Sequence, residues 1–185
     1  ILEGDNITYI NDLVSIITPV YNAEYFISDT IKSVIQQTYE KWEMIIVDDC
    51  SIDNSYEIIM SFAEKDERIR CIRLTNNSGV AEARNVALKV AKGEFICFLD
   101  ADDLWVSHKL QQQIDFMKKN KYAISFTAYE LIDKNNKPLK KIISIPKKVT
   151  YYQLLKGNVI GCLTIMINRS LIGEFLMPKI RHEDY

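Results

Sequence analysis

An α/β fold with a mostly parallel central sheet flanked by helices is predicted by two observations. Four short apolar runs, LVSIITPV (13–20), MIIV (44–47), CIRL (71–74) and FICFL (95–99), are rich in β-branched or aromatic residues and mostly lack polar alternation. Strands covered on both faces read this way. Between the runs lie segments whose apolar residues recur at three- and four-residue spacing, so strand and helix alternate and imply crossover units.

The first helix is predicted by Phe26, Ile27, Thr30, Ile31, Val34 and Ile35, and the second by Tyr56, Ile59, Met60 and Ala63. A third runs from about Val80 to Ala91 after Asn77-Ser78-Gly79. Asn22, Asp53 or Ser51, and Ser78 are the expected N-caps, since their side chains can accept from the first free amides of a helix. A fourth helix presents Leu110, Ile114 and Met117 on one face. Beyond it, AISFTAYELID and PLKKIISIP flank the polar turn DKNNK as an added antiparallel hairpin. YYQLLKGN reads as a short helix and CLTIMIN as a further strand.

The 185 residues, 48% hydrophobic and 26% charged, suffice for one substantial core. Residues 1–12 read as an N-terminal extension and 13–185 as one domain, with a ligand-binding half at about 13–105 and a second half at about 106–185. The balance of 23 basic against 25 acidic residues gives a net charge of −2, which does not suit a nucleic-acid partner. Cys50, Cys71, Cys97 and Cys162 form no CxxC pair and are expected as reduced thiols of a cytosolic protein. No secretory signal and no run of the ~18 apolar residues that a membrane span requires is visible.

In such sheets ligands bind beyond the carboxyl ends of the strands. Those ends read TPVYN (18–22), DDCS (48–51), TNNSG (75–79) and DADD (100–103). Asp100 and Asp102 bracket a small residue, and in an extended segment alternation turns both to one side. Carboxylates so arranged suit a hard cation, Mg²⁺ or Mn²⁺, whose shell a diphosphate would complete. The competing reading makes these acids, and the pair Asp48-Asp49, helix caps in solvent. Arg84 suits a phosphate or an aspartate, or else a surface ion pair. Tyr21 suits a planar base, or else a small satellite core.

In this order the motifs resemble those of family 2 glycosyltransferases, inverting nucleotide-sugar enzymes of GT-A (Rossmann-like) fold. The resemblance rests on VSIITPVYNAEYFISDTIKSVIQQTYEKWEMIIVDDCSIDNS and NNSGVAEARNVALKVAKGEFICFLDADDLW, and it extends from Leu13 to Tyr185. It implies that Pro19 and Tyr21 form the nucleobase pocket and that Asp49 hydrogen-bonds the base. It also implies that Gly79 and Arg84 flank the nucleotide. Asp100 and Asp102 correspond to the family's DxD, with Asp102 as metal ligand and Asp100 on ribose or metal, and Asp103 lies behind them or against the sugar. HEDY (182–185) resembles the family's ED motif, which makes Asp184 the general base, with Glu183 beside it.

Cys50 stands where the family often has glycine, and the family usually continues beyond the ED motif, so a C-terminally truncated catalytic region is expected. The resemblance implies a nucleotide-sugar donor, UDP-linked by preference, with Mn²⁺ or Mg²⁺ as cofactor. It implies a glycan or lipid-linked sugar as acceptor, in polysaccharide biosynthesis. The expected location is cytoplasmic, free or at the inner face of the membrane. Two other classes stand against this reading. One is a nucleotide-binding module without turnover; the other is a nucleotidyltransferase, which would need a glycine-rich, Lys- or Arg-bearing loop that TPVYNAEYF lacks.

Overall fold

The computed structural model describes residues 9–146, 149, 152 and 160–178. Strand β1 (Ile10–Val20) leads to α1 (Ile27–Ile35), β2 (Trp42–Asp48), α2 (Ser55–Ala63), β3 (Ile69–Arg73), α3 (Val80–Val90) and β4 (Gly93–Phe98). Helix α4 (Lys109–Asn120) follows, then β5 (Ile124–Ser125), β6 (Tyr129–Ile132) and β7 (Pro138–Ile143). A 3₁₀ turn at Cys162–Thr164, β8 (Met166–Asn168) and the short α5 (Arg169–Ile172) come last. The main sheet has the order β3-β2-β1-β4-β8-β5. Its first four strands are parallel, and β8 enters antiparallel between β4 and β5.

The unbroken apolar runs have a simple origin. Along each central strand successive side chains enter different cores. Ile16, Met44, Ile46, Phe95 and Cys97 join Ile27, Ile31, Ile59, Leu110 and Ile114 on one face, which α1, α2 and α4 cover. Ile17, Ile45, Val47, Ile96 and Phe98 join Ala83, Ala87 and Leu88 of α3 on the other. A strand buried on both sides has no face left for polar residues.

Chain direction along the sheet is decisive for the site. From β1 the chain moves outward through β2 to β3, then returns over the opposite face through α3 to β4 on the other side of β1. The order therefore reverses between β1 and β4, and loops leaving their carboxyl ends part there to open a crevice.

Two expectations change in detail. AISF does not belong to the hairpin: Ile124 and Ser125 pair with β8, and the two-stranded β6–β7 ribbon begins only at Tyr129. In CLTIMIN, Cys162–Thr164 form a 3₁₀ turn and only Met166–Asn168 are extended. YYQLLKGN lies mostly outside the described residues. The four cysteines are free thiols, with Cys97 buried and the others half-buried.

Gly93 opens β4 where the sheet is tightest. Its amide donates to Ser15 Oγ at 2.8 Å, and that hydroxyl donates to Glu43 Oε1 at 2.6 Å. A methyl group at Gly93 would lie 2.5 Å from the Leu13 carbonyl oxygen and 2.7 Å from the Ser15 nitrogen. Both are backbone atoms and cannot rotate away. Gly93→Ala is therefore expected to cost about 1–3 kcal/mol of stability, measured by urea titration; an unchanged midpoint would show that β1 and β4 can spread without penalty.

Candidate nucleotide-binding and active site

The crevice between β1 and β4 holds a cavity of about 420 Å³. Pro19, Tyr21, Asn22 and Phe26 line it from the β1 side, Asp49 from β2, Val80, Ala83 and Arg84 from α3, and Asp100 and Asp102 from the β4 end. Of the residues expected from the sequence, Pro19, Tyr21, Asp49, Arg84, Asp100 and Asp102 share this one cavity. Gly79 immediately precedes its lining residue Val80. Asp184 and Glu183 lie outside the described residues.

The loops around the cavity are stitched to one another by side chains. The Asn22 amide donates to Ser51 Oγ at 3.0 Å, and Asn22 Oδ1 accepts from the Ile52 amide at 3.0 Å. The Ala23 amide donates to Ser55 Oγ at 2.8 Å and the Glu24 amide to Asp53 Oδ2 at 3.0 Å. Asn22 takes a left-handed backbone (φ 50°), which asparagine tolerates.

These bonds correct the predicted caps. Phe26, Asn54 and Gly79 occupy the N-cap positions of α1, α2 and α3, and none makes a side-chain cap bond. Asn22 and Ser51 join the two loops instead, and Ser78 Oγ accepts from Asn76 Nδ2 at 2.9 Å. Of the predicted caps, only Asp53 serves its own helix: Asp53 Oδ1 accepts from the Ser55 amide at 3.0 Å. The start of α3 is served from another strand. The Ser78 and Gly79 amides each donate to an Asp49 oxygen at 2.8 Å, and Asp49 is buried. A carboxylate here satisfies free amides and meets the positive end of the helix dipole.

Asp48 is also buried, with Arg73 Nε 3.1 Å from its Oδ2. That pair belongs to the scaffold rather than to the cavity. Cys50 adopts φ 64°, a left-handed conformation that costs a residue with a side chain roughly 1–2 kcal/mol. Glycine would relieve it, so the Cys50 position carries strain.

At the β4 end, buried Arg84 reaches across so that its Nη2 lies 2.8 Å from Asp100 Oδ1. With Arg84 only 3% exposed, this is not the solvated surface pair that the sequence left open. DADD is a turn rather than an extension of β4, with the Asp103 amide donating to the Asp100 carbonyl at 3.1 Å. Asp100 and Asp102 thus reach one cavity through a turn, not through strand alternation. Thr30 Oγ1 donates to the Ala101 carbonyl at 2.7 Å and fixes the turn to α1. Trp105 fastens its far side by donating from Nε1 to the Leu163 carbonyl at 3.0 Å.

Asp102 is exposed, whereas Asp103 is half-buried behind it. Burial, reinforced by the charges of Asp100 and Asp102, pushes the Asp103 carboxyl up to about 7. Exposed Asp102 is the acid that presents its carboxylate at this rim, where a cation would arrive. Among the described residues no three His, Cys, Asp or Glu side chains come together as a metal cage. The donor set nevertheless fits a hard cation that takes part of its shell from phosphate oxygens. Asn22, Phe26, Val80 and Ala83 were not singled out from the sequence as cavity residues. Only the spacing of Val80, Ala83 and Arg84 on one face of α3 signals that they act together.

Comparison with known proteins places this geometry among related chains. A family model described as "Glycosyl transferase family 2" matches residues 15–172. The chain is 48% identical to TuaG of Bacillus subtilis, named for teichuronic acid biosynthesis, over 91% of this chain and 67% of TuaG. It is 46% identical to WfgD of Escherichia coli, named as a UDP-Glc:alpha-D-GlcNAc-diphosphoundecaprenol beta-1,3-glucosyltransferase, over 94% of this chain and 67% of WfgD. Among solved structures, S. aureus TarS 1-349 in complex with UDP superposes with a TM-score of 0.74 at 28% identity, covering 92% of this chain and 52% of that one. The same protein with UDP-GlcNAc gives 0.72 at 27% identity, covering 89% of this chain and 48% of that one. The chain thus spans about half of these two TarS chains and about two thirds of TuaG and WfgD.

Gly79 has φ 89° and ψ 159°, a region open essentially to glycine alone, and an added methyl group would meet no atom within 4 Å. Gly79→Ala therefore tests backbone conformation without a clash. It is expected to lower stability by about 1–3 kcal/mol, measured by thermal unfolding. Stability equal to the parent would show that this backbone conformation accepts a side chain without penalty.

Proposed function

The chain belongs to glycosyl transferase family 2, and on that basis we propose that it transfers a hexose from a nucleoside-diphosphate sugar, UDP-linked by preference, to an acceptor hydroxyl with inversion. The acceptor class proposed is a glycan or lipid-linked sugar in polysaccharide assembly at the inner face of the membrane. The observation that carries the reading is the cavity at the β1–β4 switch point, lined by one basic residue, three acidic ones and an exposed tyrosine. Support for UDP comes from TarS, solved with UDP and UDP-GlcNAc. The name of WfgD supports a lipid-linked acceptor.

In this reading the nucleotide lies in the half formed by residues 13–105. Tyr21 covers the base beside Pro19, and Asp49 accepts from the base while it holds the Ser78–Gly79 loop. Arg84 exchanges part of its contact with Asp100 for phosphate oxygen, a charge-assisted bond of the same kind. Asp102 and Asp100 would hold a divalent cation, which supplies charge compensation for the departing diphosphate.

Acceptor chemistry belongs to the half formed by residues 106–185. Asp184 takes the proton from the acceptor hydroxyl as that oxygen bonds to the anomeric carbon and the bond from that carbon to the diphosphate oxygen breaks. One displacement on the face opposite the leaving group inverts the centre. No thiol nucleophile is needed.

The test is a thermal-unfolding series with UDP, GDP and dTDP and their sugars, with and without Mn²⁺. UDP with Mn²⁺ is expected to stabilise by about 2.7 kcal/mol at a hundredfold excess over its dissociation constant. Asp102→Asn should lose the metal-dependent part. Asp184→Asn should keep donor binding but release nucleoside diphosphate about 10²–10⁴ times more slowly. If no nucleoside diphosphate stabilises the chain, the reading fails. Donor binding without release on any acceptor would favour a nucleotide-binding module.

A further inference from the structure

The β6–β7 ribbon has features that sugar transfer does not use. The ribbon, residues 129–143, holds four lysines against two acidic residues, Glu130 and Asp133. Without the ribbon the chain has 19 basic against 23 acidic residues, a net of −4. Positive charge is therefore concentrated on one small element of an acidic molecule. Lys134, Lys137, Lys140 and Lys141 are all exposed, and among the described residues no ion pair engages them.

Apolar side chains stand among these charges. Leu139 is 56% and Ile142 66% exposed. The ladder runs Tyr129↔Ile143, Glu130↔Ile142 and Leu131↔Lys141, then jumps to Ile132↔Pro138, so Leu139 and Lys140 bulge out of the pairing. Lys140 has φ 52°, left-handed backbone that costs a residue with a side chain roughly 1–2 kcal/mol. In the same ribbon Asn136 also takes left-handed backbone (φ 61°), which asparagine tolerates better than the lysine at 140. Lysines alone would be explained as guards against edge-to-edge aggregation, but a protruding leucine beside them works against that purpose.

We propose that the β6–β7 ribbon docks the protein on an anionic phospholipid bilayer, with the four lysines on the headgroups and Leu139 and Ile142 in the interface. Lysines close to an anionic surface each contribute roughly a fivefold gain in partitioning, and neighbouring apolar side chains make the contact more than electrostatic. One side-chain bond ties the ribbon's turn to the helix beside the cavity. Asn136 Nδ2 donates to Asp29 Oδ2 at 2.8 Å, and Asp29 lies in the first turn of α1, three residues after the cavity residue Phe26. Docking through the ribbon would hold the cavity in a fixed relation to the lipid surface. This deepens the lipid-linked acceptor proposed above, but its test reads lipid binding alone.

The 185-residue chain is sedimented with vesicles of phosphatidylcholine alone and with vesicles containing roughly one third phosphatidylglycerol. Binding only to the anionic vesicles, weakened by salt, is expected. Lys140→Gln with Lys141→Gln should lower partitioning roughly thirtyfold, and Leu139→Ser with Ile142→Ser roughly tenfold or more. Unchanged thermal unfolding and UDP binding would show that each variant keeps its fold, since these side chains are exposed. Equal sedimentation with both vesicles, none with either, or no loss in the lysine variant would overturn the proposal. So would retention by duplex DNA at the same salt without vesicle binding. If vesicle binding fails while UDP still stabilises the chain, only the docking inference falls.

Discussion

Both oxygens of the Asp49 carboxylate accept backbone amides, and much of the site's geometry depends on that bond pair. A buried carboxylate is expensive unless its charge is hydrogen-bonded, and bonds to a charged group are worth about 1.5–3 kcal/mol each. The requirement joins the end of β2 to the start of α3. Helix α3 in turn carries Arg84, and Arg84 holds Asp100. Electrostatic constraint thus passes from one strand end to another through a helix, so the cavity wall is set before any ligand arrives.

The acidic residues of the strand ends divide by burial into two kinds. Asp48 and Asp49 are buried, Asp48 beside Arg73 and Asp49 on the Ser78 and Gly79 amides. Asp102 is exposed at the rim, and Asp100 faces the same cavity while paired with buried Arg84. The first kind holds loops together and the second presents charge to the opening. Composition alone does not separate them, because all four residues are the same amino acid at the same edge of a sheet.

Period and length made the scaffold legible in the sequence. The runs around Ile16, Ile46 and Ile96 read as strands covered twice, and the mostly parallel arrangement followed from alternation with helices. Which edge carries the ligand was legible for the same reason. What stayed hidden depends on partners distant in sequence. Asn22 could not be seen to meet Ile52, nor Asp49 to meet Gly79, because local rules assign such side chains to their own helix. Strand reasoning found the DADD acids but gave the wrong backbone, since a turn also brings residues two apart to one side. AISF was misassigned because its partner, β8, begins some forty residues later.

That late partner bears on how the protein is made. Strand β4 is complete at Phe98, yet its second edge stays open until Met166–Asn168 slot in beside it. A ribosome adding about 5–20 residues per second leaves that edge bare for several seconds or longer. Through this interval the nascent chain already holds every proposed donor-binding residue, while a hydrophobic strand rim remains open to wrong partners. Chaperone demand should therefore peak during synthesis of the second half, after the nucleotide pocket has its full set of residues.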